Sequence, residues 1–132
     1  MPSNPMVQLP TSRILLVEED DIRSDNLLSS LQKAGAVVAG PVRSVDAALM
    51  ILRTERLSAV IFAADLERGP GAEELGAILA EQHLPALVID WSPVNPPRTR
   101  IAGEQLAWPF SHLTFIATVY RVVAGMPAEI AH

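Results

Sequence analysis

Short apolar runs punctuate the chain, and between them apolar residues recur every three or four positions. The first run, RILLV at 13–17, stops abruptly at the acids EEDD. A run of that length without polar alternation suits a strand covered on both faces, as in a parallel sheet. In the IRSDNLLSSLQKAG that follows, Ile22, Leu27, Leu28, Leu31 and Ala34 keep roughly helical spacing, and Gly35 is a natural stop. AVVAG at 36–40 predicts a second strand closing on Gly40-Pro41. Ser44 can cap a helix over VDAALMILRTER, with Asp46 in its first turn and Ala48, Leu49 and Leu52 on its inner face. SAVIFAA predicts a third strand, and RGPG a loop. AEELGAILAEQ reads as a helix despite Gly76, which costs it ~1 kcal/mol relative to alanine. PALVI at 85–89 is the fourth strand.

The pattern then breaks down. WSPVNPPRTRIAGE holds Pro93, Pro96 and Pro97, so a helix there has to begin after Pro97. QLAW predicts a short fifth strand. Ser111 can cap a last helix, HLTFIATVYRVVAG, with Leu113, Ile116, Val119, Tyr120 and Val123 as its inner stripe and Gly125 as its end. Strands alternating with helices imply parallel βαβ units. The expected fold is a three-layer α/β/α sandwich around a five-stranded parallel sheet, its fourth helix shortened or disrupted. The expected organisation is a tail at 1–12, one domain at 13–125 and a tail at 126–132. Ligands in such sheets bind at the carboxyl ends of the strands. That rule directs attention to Glu19 and Asp20, to Ala63 through Asp65, to Asp90 and to Trp108.

Composition narrows the chemistry. The chain has 132 residues, of which 49% are hydrophobic, enough for one buried core. It has no cysteine, which removes disulfides, thiolate metal sites and cysteine nucleophiles. Its net charge is −5 with no block of Lys or Arg, which argues against nucleic acid as a partner. No apolar run approaches the ~20 residues that span a bilayer, and no secretory leader is visible, so a cytoplasmic protein without a membrane partner is expected. His83, His112 and His132 lack ligand spacing. No serine sits in a nucleophile elbow, and RGPG matches no phosphate-cradling loop, so no enzyme class is indicated.

The five strand ends resemble the receiver domain of bacterial two-component response regulators, a flavodoxin-like fold. RILLVEEDD is similar to the family's opening strand and acidic pair, GAVVAGPVRSVDAALMIL to its second strand and helix, and AWPF to the end of its fifth strand, where the family carries Lys-Pro. The likeness covers roughly residues 13–123. It implies phosphoryl transfer from a histidine kinase to an aspartate after the third strand. A magnesium ion is held by that aspartate, an acid of the pair and a backbone carbonyl, and a hydroxyl and a lysine hold the phosphoryl oxygens.

Carried over residue by residue, the resemblance puts the acidic pair on Glu19 and Asp20 and the acceptor on Ala63, which has no nucleophile. Asp65 takes the carbonyl-ligand position, and Leu66 matches the apolar residue three after the acceptor. The switch positions fall on Asp90, Gln105, Trp108 and the retained Pro109. A buried lysine without its carboxylate partner is costly, and Trp108 replaces it with apolar volume that Ala63 leaves room for. The implied function is a stand-alone receiver-like module that works by protein contact and independently of phosphorylation. The expected partner is a signalling protein, such as a histidine kinase or another regulator, or a second copy of the chain. No cofactor is expected; a remnant magnesium site at Glu19, Asp20 and Asp90 is the exception to weigh. The alternative is a magnesium-dependent phosphoacceptor with Asp65 as displaced nucleophile. A flavodoxin-like cofactor binder is disfavoured, because acids follow the first strand where phosphate would sit. Trp91, Pro93, Pro96 and Pro97 are the interface candidates, while Trp108 is expected chiefly to fill core space.

Overall fold

The computed structural model describes residues 12–93 and 101–125. Its strands are β1 (Arg13–Val17), β2 (Val37–Val42), β3 (Ala59–Ala63), β4 (Ala86–Asp90) and β5 (Glu104–Ala107). The α-helices among the described residues are α1 (Asp21–Lys33), α2 (Val45–Thr54), α3 (Pro70–Glu81) and α4 (His112–Val123). The strands form one parallel sheet in the order β2-β1-β3-β4-β5.

The continuous apolar strands serve two cores at once, because alternate side chains leave opposite faces of a sheet. Ile14, Leu16, Ile61, Leu87 and Ile89 pack with Leu27 and Leu31 of α1 and with Phe115, Ile116 and Val119 of α4. Leu15, Val17, Val60, Phe62 and Val88 pack on the other face with Val45 and Ala48 of α2 and with Leu75 and Leu79 of α3. The three-layer sandwich expected from the sequence is the one observed.

Several local expectations change. Strand β2 runs through Gly40-Pro41 to Val42, because Leu15 pairs with Ala39 while Val17 pairs with Val42, leaving one extra residue on β2. Gly40 makes this bulge, with φ at 85° and no room for a Cβ beside the Val42 nitrogen at 2.8 Å. Pro41 is tolerated because β2 is an edge strand. Gly76 does not weaken α3 idly: a Cβ there would lie 3.0 Å from the Ala102 carbonyl oxygen, so glycine lets the helix approach the entry to β5. On α4 the inner stripe is Phe115, Ile116, Thr118, Val119 and Val122, whereas Leu113 is 63% exposed. Ile22 is likewise outside the core at 75% exposed. The expected fourth helix falls mainly on residues 94–100, outside the described residues; the described residues 91–93 and 101–103 are not helical.

Candidate functional site

The carboxyl ends of β1, β3 and β4 meet at one edge of the sheet. In the register of β1 with β3, Val17 pairs with Phe62, and one step further brings Glu18 beside Ala63. Ala63 in turn pairs with Ile89 and is 2% exposed, so a methyl group lines the sheet at the end of β3.

Glu18, passed over in reading the sequence, follows directly on β1 at this edge. It is 2% exposed. Its Oε2 accepts a hydrogen bond from the Asp20 amide at 3.0 Å, and its Oε1 accepts one from the Trp91 indole at 2.9 Å. Burial pushes its carboxyl above the ordinary value of 4.5, against the Asp20 amide, the Trp91 indole and Arg23, which all favour the carboxylate. Nothing within the EEDD run singles out its first member as the buried one.

The other acids scatter to separate tasks. Asp20 caps α1, accepting from the amides of Ile22 and Arg23, both at 3.0 Å. Glu19 accepts from the Glu67 amide at 3.1 Å. Asp90 is buried, accepts from the Ser92 amide at 3.2 Å through its side chain, and takes the Trp108 amide on its carbonyl at 2.8 Å. Asp21 pairs with Arg43 on the surface. Among the described residues no three acids or histidines are placed to hold a metal ion, so the trio Glu19, Asp20 and Asp90 is not a gathered site.

Arg23 instead supplies the positive charge. Its guanidinium lies 3.0 Å from Asp65 Oδ2 and 4.0 Å from Glu18 Oε2, and it sits 5.2 Å from the centre of the Trp91 ring. Asp65 begins a short 3₁₀ turn, Leu66–Arg68, in which Glu67 and Arg68 hold positive φ of 50° and 66°. Such backbone persists only where neighbours hold it. Here the Arg23–Asp65 pair fixes one end, the Glu67 amide is tied to Glu19, and the Glu67 carboxylate accepts from the Val45 amide at 2.8 Å, at the start of α2.

Trp108 does not fill the space beside Ala63. It is 45% exposed and stands with Trp91 and Phe110, ring centres 5.3 Å away in each case. Phe110 continues the cluster to buried Phe115 at 5.7 Å. These rings border a cleft of about 310 Å³ between α1 and the start of α4, where Asn26, Ser30 and Lys33 form the polar wall. Trp91, half-buried, is the ring that turns inward. Pro109 and Gln105 lie exposed, and the Gln105 amide donates weakly to the Ile101 carbonyl at 3.5 Å. Pro93 is exposed, while Pro96 and Pro97 lie outside the described residues.

No family model matches the sequence, and no curated protein matches it. Solved structures do. A signal receiver domain of an HD domain-containing protein from Pseudomonas fluorescens Pf-5 is 17% identical with a TM-score of 0.75, covering 86% of this chain and 95% of that one. A response regulator receiver protein from Sinorhizobium medicae WSM419 is 19% identical with a TM-score of 0.70, covering 86% and 94%. The response regulator PhyR from Brucella abortus is 17% identical with a TM-score of 0.76, covering 92% of this chain but 51% of that one. The strand order, the layers and these likenesses agree that the chain has the fold of a response-regulator receiver domain.

Proposed function

We propose that this chain is a receiver-type signalling module that acts by binding another protein and does not run phosphoryl transfer. The observation that carries this reading is the buried methyl of Ala63 at the strand end, beside a carboxylate pair already engaged by Arg23. Phosphoryl transfer depends on a positioned nucleophile and on positive charge placed for the transferring group. Asp65, the nearest alternative acceptor, is ion-paired and held at the head of a strained turn. Trp108 stands at the lysine position and Asp90 at the hydroxyl position, and neither aids a phosphoryl group.

The partner in this reading is a signalling protein of the cytoplasm, a histidine kinase or another regulator. No helix among the described residues is long and apolar enough to cross a membrane. The half-exposed rings of Trp91, Trp108 and Phe110 supply the aromatic anchors that protein interfaces favour.

The deciding experiment is intact-mass spectrometry after incubation with acetyl phosphate and magnesium ion. The expected spectrum is unchanged. A hydroxylamine-labile gain of one phosphate that disappears in Asp65→Ala would establish the displaced-acceptor alternative instead.

A further inference from the structure

The residues at the sheet edge do not fit a resident magnesium ion, and what fills its role is part of the chain. We infer that Arg23 is a tethered counter-ion that closes the Glu18–Asp65 cleft to divalent cations. This rests on the receiver-type reading only for its location.

Three observations converge. Arg23 is within 4.0 Å of both carboxylates, where a diffusible cation bridging them would have to sit. Its position in the helix is electrostatically poor: it lies in the first turn of α1, where the helix dipole disfavours positive charge. The arginine is therefore held there by the acids it faces rather than by the helix it belongs to. Finally, the Trp91 ring lies against the guanidinium while its indole N–H is given to Glu18, so one residue positions both halves of the pair. The neighbouring charges are already taken up. Asp20 caps α1, Glu19 holds the Glu67 amide, and Arg43 is engaged by Asp21. A divalent ion entering this cleft would have to displace the guanidinium of a side chain that is only 28% exposed and lies against an indole.

Removing the guanidinium leaves two facing carboxylates, which is the oxygen-rich setting that hard cations take. The test is manganous ion titrated into the full chain and into Arg23→Ala, with free ion read by electron spin resonance. Arg23→Ala is expected to bind one ion with Kd of about 1 mM or tighter, while the unmodified chain leaves the signal of free ion unchanged over the same range. The double variant Arg23→Ala with Asp65→Asn is expected to lose the binding. Arg23→Gln keeps a donor for Asp65 without the charge and gives the same readout where the alanine variant does not fold. Equal binding by the unmodified chain overturns the inference, and so does a folded charge-deleted variant that binds nothing. Acetyl phosphate added to the metal-loaded variant separates the two proposals. Metal binding without phosphate gain supports both. Phosphate gain by the unmodified chain, with metal binding confined to the variant, removes the phosphorylation-independent function and leaves the counter-ion role standing.

Discussion

At the scale of single residues, the site turns on which of four consecutive acids faces the sheet. Glu18 does, and it is the one whose carboxyl is raised by burial. Because its folded value lies above the ordinary 4.5, the native state keeps this proton to higher pH than the unfolded chain does. Its contribution to stability is complete below about 4.5 and is lost as pH climbs through the raised value. Urea denaturation of the parent and of Glu18→Gln between about pH 4 and pH 8 tests this. The parent is expected to lose stability relative to the variant as pH rises, and parallel profiles would contradict it. The end of β3 at a buried alanine was legible in the sequence, because the apolar run stops there. The choice of Glu18 over Glu19 and Asp20 was not, since an acidic run carries no internal signal of which member points inward. Arg23 was equally silent: in a one-dimensional reading it is a polar residue in an amphipathic helix. Only the fold, which sets the first turn of α1 beside the segment after β3, brings it to Asp65.

At the scale of elements, the central strands β1, β3 and β4 were legible because nearly every residue in them is buried, whereas the partly exposed edge strands β2 and β5 shifted in their bounds. The helices were legible in position and cap, as Ser44 and Ser111 show by accepting the amides of Ala47 and Thr114. Their rotation was less so. Both Leu113 and Phe115 keep helical spacing with Ile116 or Val119, and the sequence does not say which the sheet receives. The sheet takes Phe115, and Leu113 is left outside. Phe115→Ala is therefore expected to cost about 3–5 kcal/mol as a buried aromatic deletion. Trp108→Ala is expected to cost only about 1 kcal/mol, because half-exposed rings contribute chiefly their mutual contacts. Denaturant midpoints of the two variants decide it, and equal losses would return Trp108 to the core. On β2, Gly40→Ala is expected to lose about 1–3 kcal/mol, since the residue holds positive φ and a Cβ would meet the Val42 nitrogen and the Leu16 carbonyl.

At the scale of the whole molecule, the parallel sheet gathers Glu18, Ala63 and Asp90 at a single edge and leaves the aromatic cluster beside it. Trp91 belongs to both, hydrogen-bonded inward to Glu18 and in ring contact with Trp108 and Phe110. Replacing residues 93–97 with a glycine–serine linker is expected to abolish capture of the protein partner in a pull-down while the far-ultraviolet dichroism stays unchanged. Undiminished capture would move the interface elsewhere. The alternation of strand and helix made this edge findable before any coordinates. The expectation for the proline-dense connection after β4 falls mainly outside the described residues.

The salt link between Arg23 and Asp65 has a final implication. A switch needs an unsettled charge that an outside event can settle; here the balance is struck within the polypeptide as it folds. On the function proposed above, such a chain conveys its message by how many copies are made and how soon they are degraded, and its regulation is expected in expression and turnover.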